Sequence, residues 1–466
     1  MTQLIGVLGL ARSGRAAALL ALAAGDRVFA SDASASAEAQ DAAAAVRQAG
    51  GERAEAETGA HTIERLAQCD VLVLSPGIPP DAPVLGDPRL AGIPRISELE
   101  FAFRQLASPV IGITGTNGKS TVTALTAHLL KTAGFNAPAA GNIGLALSEV
   151  ALRHTPPDWA VVECSSFQLA DIDCFNPRIG VLTNLAPDHL DRYPSVEAYY
   201  ADKQRLFKNA GERSSWVLNG EDDAVLQLAG DAPGRRYLFR ASTVPPAGEQ
   251  GAFVADGSLV LRMAAGEADV KLIRTDELRI LGQHNVANAL TAALAAALAG
   301  APEQALRDGL RSFGGLEHRL EVVLEHEGVL WINDSKATNV ASTLVALRGV
   351  PRPTILLLGG RHKGEPYTHL LPALQNVKVV VAYGEAAPIV VQDLADRVAV
   401  ERVDGSFEAV VARAAALARP GDAILLSPAC SSYDMFANYE ERGRRFKDLA
   451  QETVGGAGAR EVAHGA

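Results

Sequence analysis

The sequence predicts an α/β protein of several domains built on parallel sheets. Three observations carry that expectation. Short apolar runs alternate with Ala-rich stretches of helical period, the pattern that places helices on the faces of a parallel sheet. A chain of 466 residues has room for about three domains of ~150 residues each. A glycine-rich turn followed by a lysine and two hydroxyls, "GITGTNGKST" at 112–121, joins an apolar run to a helical pattern.

From the N-terminus, "LIGVLGL", "DRVFASD" and "DVLVLSPG" read as strands, and "RAAALLALAAG" as a helix closed by Gly25. These belong to a first domain, 1–107, which ends at "QLASP", where Pro109 opens a new strand. The second domain, 108–315, begins with the glycine-rich turn and continues through "WAVVECSSFQL", "RIGVLTNLAPDHLDRY" and "SSWVLNGED". Its Pro/Gly-rich insertion, "STVPPAGEQGAFVADGSLVLRM", reads as antiparallel hairpins, and the helix of "GQHNVANAL" runs on to Gly300. The third domain, 316–466, returns to the α/β rhythm with "GVLWINDS", "PTILLLGG", "VKVVVAYG" and "DAILLSPAC", and "GGAGAREVAHGA" reads as a frayed end.

Composition excludes several classes. A net charge of −11 argues against general nucleic-acid binding, which shows a basic surplus. Four cysteines, Cys69, Cys164, Cys174 and Cys430, have no metal-like spacing, and reduced thiols of a cytoplasmic protein are the expectation. The first residues read as a strand rather than a signal peptide, and no apolar run reaches the roughly 18 residues of a membrane span.

The glycine-rich turn carries the chemistry. Five residues separate Gly112 from Gly118, one more than the strict phosphate loop has. A bare turn needs neither Lys119 nor the Ser120–Thr121 hydroxyls. Backbone N–H groups, the helix dipole and a lysine together make a phosphate cradle, with the Ser120 hydroxyl placed for Mg²⁺. At the N-terminus, Gly9-x-Ala11-x-x-Gly14 with Asp32 approximates a dinucleotide fingerprint. Ala11 replaces the glycine that lets a pyrophosphate approach closely, which weakens the nicotinamide reading; a diphosphate-bearing substrate fits better, because the same helix N-terminus can bind it. Glu163, Asp188, His189 and Asp191 follow successive strands and suggest a Mg²⁺ site, although each alone reads as a surface or capping residue. Lys203 reads by default as a solvated helix lysine. Asn285 and Asn288 stand three apart on a helix, suited to a nucleotide or to a plain cap. His318, Arg319, Asp334, Lys336, Thr338, Asn339, Lys363, Ser431, Ser432 and Tyr439 cluster cationic and hydroxyl groups at strand ends, a pocket for carboxylates and phosphates. A regulatory phosphate-loop switch that binds nucleotide alone is the rival reading.

Taken in order, "GITGTNGKST", "GQHNVANA", "HR" and "NDSKATN" resemble the Mur ligase family, which shares the odd glycine spacing. "ECSSFQL", "DHLDRY" and "LSPACSSYDMFANYEERG" resemble its D-glutamate-adding members, and the likeness spans nearly the whole chain. The resemblance implies an N-terminal Rossmann-like domain for the UDP end of the substrate, a central phosphate-loop ATPase domain and a C-terminal Rossmann-like domain. It implies ATP-driven ligation of D-glutamate to UDP-N-acetylmuramoyl-L-alanine by a monomer, a cytoplasmic step of peptidoglycan precursor synthesis. A sibling ligase with another acceptor is the alternative. Gly115, Thr116, Asn117, Gly118, Lys119, Ser120 and Thr121 would bind ATP phosphates, and Asn285, Asn288, Arg319 and Asp334 the rest of ATP. Ser120, Glu163, His189 and Lys203, the last as a carbamate, would serve two Mg²⁺ ions. Lys336 would meet phosphate or the acyl intermediate, and His189 is the candidate base. Ser13, Asp32, Ser75, Gly77 and Asn142 fall on the UDP-sugar side; Thr338, Lys363, Ser432 and Tyr439 fall at the D-glutamate site. Arg361 stands where many relatives carry an acid, and Tyr439 where phenylalanine is common.

Overall fold

The structure is a computed structural model that describes residues 2–188, 192–264, 266 and 268–462. Two compact units divide the chain: 1–275 with 287–311, and 276–286 with 312–466.

In the first unit, β1 (Leu4–Leu8), β2 (Arg27–Asp32), β3 (Ala54–Thr58), β4 (Val71–Leu74) and β5 (Arg95–Ser97) form a sheet of order β3-β2-β1-β4-β5. All its pairings are parallel, and the order reverses direction between β1 and β4. That crevice is where doubly wound sheets bind ligands. A second sheet contains β6 (Val110–Thr114), β7 (Ala139–Gly141), β8 (Ala160–Glu163), β9 (Ile179–Leu182), β10 (Ser215–Asn219) and β11 (Arg235–Arg240), extended by β12 (Gly251–Ala255), β13 (Ser258–Arg262) and β14 (Val270–Arg274). Its order is β14-β13-β12-β11-β10-β9-β6-β8-β7. Every residue of β6, β8 and β9 is buried, as uninterrupted apolar runs require of strands covered on both faces.

The insertion departs from the hairpin expectation at one point. β12, β13 and β14 pair antiparallel, with Asp256 and Gly257 at φ 47° and 68° making the tight turn. β12, however, pairs parallel to β11, because the 241–250 segment is long enough to cross back to the same end. Gly251 makes that pairing possible. A Cβ there would stand 1.8 Å from the Leu238 carbonyl oxygen.

The second unit holds β15 (Glu321–His326), β16 (Val329–Asn333), β17 (Thr354–Gly359), β18 (Val377–Tyr383), β19 (Val400–Arg402) and β20 (Ala423–Leu426), in the order β15-β16-β20-β17-β18-β19. Only the β15–β16 pairing among these described strands is antiparallel. Side chains alternate between two cores: Leu356, Leu358, Val380 and Leu425 face one, while Ile355, Leu357, Val381 and Ile424 face the other. The final helix, Tyr439–Val462, carries on through much of the stretch expected to fray. Phe446, Leu449 and Ala450 anchor its first half in the core, and extending an anchored helix costs little per residue.

Candidate active site

The turn after β6 is shaped by close contacts that admit only glycine. Gly115 has φ 142°, and a Cβ on it would lie 2.0 Å from Thr183 Oγ1. Gly118 has φ 82°, and its Cβ would lie 2.3 Å from Asn288 Oδ1. The segment after β9 braces the loop. Thr183 Oγ1 donates to the Asn117 carbonyl oxygen at 2.7 Å, Asn117 N donates to Asn184 Oδ1 at 2.8 Å, and Ala186 N donates to Thr116 Oγ1 at 3.0 Å. The helix Lys119–Thr132 follows with Ser120 and Thr121 buried in its first turn. Lys119 Nζ folds over the loop and donates to the Thr116 carbonyl oxygen at 2.6 Å.

Two buried charged groups flank this loop. Glu163 ends β8 opposite Ile113 of β6 and is 1% exposed. Its Oε1 accepts from Asn142 Nδ2 at 2.8 Å, whereas its Oε2 has no hydrogen-bond partner among the described residues. A buried carboxylate oxygen without a donor is costly unless a cation faces it. Lys203, on the helix Val196–Gln204, is also 1% exposed, and its Nζ donates to the Gly115 carbonyl oxygen at 2.7 Å. Burial and the neighbouring Lys119 charge pull its pKa down to about 7, against the attraction of Asp188 and Asp202. Instead of a solvated lysine, the helix delivers a buried amine to the loop. His189 and Asp191 lie outside the described residues.

The substrate-side residues expected in the first sheet gather at its carboxyl end. Ser75 Oγ donates to the Gly9 carbonyl oxygen at 2.8 Å. Asp32 accepts from Leu10 N at 2.6 Å and Ser34 N at 2.8 Å, Ser13 sits in the first turn of the helix Arg12–Ala23, and a Cβ on Gly77 would meet open space. Asn142, expected on the same UDP-sugar side, follows β7 and donates to Glu163.

In the second unit, Asp334 follows β16 and is buried, with Oδ1 accepting from Leu320 N at 3.1 Å and Oδ2 from Ser427 Oγ at 2.8 Å. Burial raises its pKa to about 7, opposed by those hydrogen bonds and by Arg319. Lys336 Nζ stands 5.7 Å over the Tyr439 ring. The Lys336 backbone N donates to the His318 carbonyl oxygen at 3.0 Å, and Thr338 N to the Lys336 carbonyl oxygen at 2.9 Å. Ser432 is buried, Lys363 is exposed on the loop after β17, and Asn285 Nδ2 donates to the Leu281 carbonyl oxygen at 2.7 Å. Arg361 spends its charge on a surface pair with Glu385, 3.1 Å away.

Known proteins resemble this chain over most of its length. The family described as Mur ligase middle domain matches residues 113–296, and that described as Mur ligase, glutamate ligase domain matches 318–430. The UDP-N-acetylmuramoylalanine–D-glutamate ligase of Salinibacter ruber is 42% identical over 456 residues, covering 96% of this chain and 97% of the relative. The enzyme of the same name from Anaeromyxobacter dehalogenans is 43% identical over 460 residues, covering 96% and 97%. The chain belongs to the Mur ligase family. Among solved structures, UDP-N-acetylmuramate-alanine ligase from Thermotoga maritima aligns with TM-score 0.57 at 18% identity, covering 97% of this chain and all of that one, a likeness of fold.

Two parts of this Mur ligase escaped the sequence reading. Arg442 is completely buried; its Nε donates to Ser335 Oγ at 3.0 Å, and its Nη2 to the carbonyl oxygens of Ser335 at 2.9 Å and Cys430 at 3.1 Å. It thus ties the Lys336 segment to the one bearing Ser432. The signal was its place in "YEERG", one helical turn beyond Tyr439. The bracing of the phosphate loop by Thr183 and Asn184 was the other, hidden in the "TNLAPDH" stretch.

Asp334 gives a stability prediction with a defined sign. Its folded pKa is raised from 3.8 to about 7, so its contribution is complete below pH 3.8 and is lost as pH rises to about 7. At pH 8 the wild type buries an anion that Asp334→Asn removes. An asparagine retains an acceptor for Leu320 N, while Ser427 Oγ can turn its proton to Thr343 Oγ1, 3.1 Å away. Thermal melts should show the variant more stable at pH 8 by on the order of 1–3 kcal/mol and not at pH 4. A variant that melts below the wild type at both pH values contradicts this account.

Proposed function

We propose that this Mur ligase couples ATP cleavage to amide formation between UDP-N-acetylmuramoyl-L-alanine and D-glutamate, through an acyl phosphate. The observation that carries the reading is the phosphate loop flanked by Lys119, the buried Lys203 and the unpartnered Glu163 oxygen. The relatives named for D-glutamate ligation supply the choice of substrates.

The residues fit Mg²⁺, since Glu163 Oε2 lacks a donor and hard oxygens are the ligands this ion prefers. Ser120, Glu163, His189 and Lys203, as its carbamate, would hold two ions, which supply charge neutralisation at the transferring phosphoryl group. The chain's own groups do the rest. The N–H groups of Gly115–Thr121 cradle phosphates, and Lys119 offsets the charge that develops as the phosphoryl group moves. Asn285, Asn288, Arg319 and Asp334 hold the nucleotide, Lys336 steadies the acyl phosphate, and His189 is the candidate base for the incoming ammonium when its lone pair is not given to an ion. Ser13, Asp32, Ser75, Gly77 and Asn142 position the UDP-sugar. This reading divides the tasks among 1–107, 108–315 and 316–466, and makes the enzyme a cytoplasmic monomer, for which sedimentation should give a single species of 48.8 kDa. No described helix is long and apolar enough to cross a membrane.

ADP release with UDP-N-acetylmuramoyl-L-alanine and a panel of amino acids tests the function: D-glutamate alone should drive turnover. The acceptor carries two carboxylates, so its pocket needs a cation for one and hydroxyls for the other. We assign these to Lys363 and to Thr338 with Ser432, with Tyr439 against the side chain. Inverting the α-carbon leaves a carboxylate unpaired or the amine misplaced, so L-glutamate and diaminopimelate should be rejected. Lys363→Ala should raise the KM for D-glutamate by about 10- to 100-fold, from loss of one charged hydrogen bond, with the KM for ATP little changed. Equal use of L-glutamate, or an unaltered D-glutamate dependence in the variant, overturns the pocket.

A further inference from the structure

The carboxyl end of the first sheet holds a hydrogen-bonded trio that the ligase reading leaves without a task. Ser31, the penultimate residue of β2, is completely buried and pairs in register with Glu57 of β3. Its Oγ lies 2.7 Å from Glu57 Oε1 and 2.7 Å from Nδ1 of His61, on the loop after β3. Glu57 also accepts from Thr62 N at 2.6 Å and Thr62 Oγ1 at 2.6 Å.

Proton counting fixes the histidine. Burial pushes the Glu57 carboxyl up, but the hydrogen bonds from Thr62 and Ser31 outweigh it, so the group is an ionised, acceptor-only carboxylate. Ser31 has one hydroxyl proton, and Glu57 takes it. His61 Nδ1 must therefore carry the proton of the second bond and donate to Ser31 Oγ. Burial holds the ring below the usual histidine range against the pull of Glu57 and Asp32, so it is neutral at pH 7. The other nitrogen, Nε2, is then a lone-pair acceptor on a half-buried ring, with no hydrogen-bond partner among the described residues.

The location gives that acceptor an object. In doubly wound sheets the phosphates meet the first βα turn and the ribose meets the acid that ends the second strand; a base attached to that ribose continues in the same direction, from β1 past β2 towards β3. Here that acid is Asp32, whose oxygens accept from the backbone N–H groups of Leu10 and Ser34, and His61 is the side chain on the β3 side of it. We propose that His61 Nε2 accepts the N3–H of the uracil ring of the nucleotide substrate and so selects uracil. This rests on the uridine-nucleotide reading above. Uracil presents an N–H donor at N3, whereas cytosine presents a lone pair there, which would face the Nε2 lone pair unbonded.

The test is calorimetric titration of the full chain with UDP, CDP and 3-methyl-UDP. The wild type should bind UDP at least about tenfold more tightly than either analogue, the discrimination expected when a buried hydrogen bond goes unmade. In His61→Asn the shorter amide can still donate to Ser31, so the fold is kept while the outer acceptor is lost. UDP should weaken by about tenfold there and its advantage over CDP fall to within about twofold. CDP or 3-methyl-UDP binding the wild type as tightly as UDP overturns the assignment, as does an unchanged UDP-to-CDP ratio in His61→Asn. Failure of the wild type to bind any of the three overturns the uridine reading itself, and this assignment with it.

Discussion

Lys119→Ala is expected to lower ATP-dependent amide formation by at least about 10³-fold, equivalent to about 4 kcal/mol of transition-state stabilisation. The lysine opens the helix behind the phosphate loop, and its Nζ lies across that loop on the Thr116 carbonyl oxygen. An ammonium there offsets charge that grows as a phosphoryl group transfers. The fold should survive. The hydrogen bond lost to Thr116 costs about 1 kcal/mol, and its loss is offset by removing a positive charge that disfavours protonated Lys203. Melting midpoints of variant and wild type should therefore agree within a few degrees, while ADP release with all substrates present falls to background. The same change should move the Lys203 pKa upward, towards its ordinary value, because a like charge has gone. A variant that retains turnover within about tenfold of the wild type removes this loop from the reaction.

The parts of the fold legible in the sequence were those where one physical signal acted alone. Strands such as "VIGIT" and "ILLLG" are buried on both faces, so an unbroken apolar run announces them. β3, "AEAET", carries two glutamates and pairs on one side only, at the edge of its sheet, so its hydrophobic signal is weak. The parallel pairing of β11 with β12 depends on where a loop returns, which local sequence does not encode. The site divides in the same way. Gly115 and Gly118 are dictated by backbone conformation and close approach, and those demands show as glycines at fixed spacing. The burial of Lys203 does not show, because it comes from the segment after β6 closing over a helix almost ninety residues later in the chain. Arg442 and His61 act through partners 107 and 30 residues away, separations at which a sequence read along its length gives no hint of contact. The resemblance to Mur ligases implies a metal-side role for Lys203, a role its residue pattern, which read as solvated surface, does not suggest.

Lys203→Ala should be nearly inactive, and added formate or acetate should restore part of the activity. The physical case rests on what the lysine is before it reacts. It is buried, held on the Gly115 carbonyl oxygen, and has a pKa of about 7, so roughly half is free amine near neutrality. A free amine can attack CO₂, which an ammonium cannot; as the N–C bond forms, one C–O π bond becomes the carboxylate's negative oxygen and one amine proton passes to solvent. The resulting carbamate replaces a positive charge beside Lys119 with an anion offering two hard oxygens, the ligand type Mg²⁺ prefers. An unmodified ammonium would instead repel the ions. Alanine removes both forms and leaves a cavity beside the loop into which a short carboxylate fits. Three readouts separate this role from mere packing. Wild-type protein in ¹³C-bicarbonate should show a carbamate carbon resonance that is missing from the variant. Removing CO₂ should slow the wild type and leave acetate-rescued variant unchanged. Stability should also respond in the unliganded chain without CO₂. A lysine whose folded pKa is lowered from 10.5 to about 7 gives its full contribution above pH 10.5 and loses it as pH falls to about 7. That slope should flatten in Lys203→Ala. A variant with wild-type turnover, or a wild type with no carbamate signal and no dependence on CO₂, rules out the modified lysine as a metal ligand.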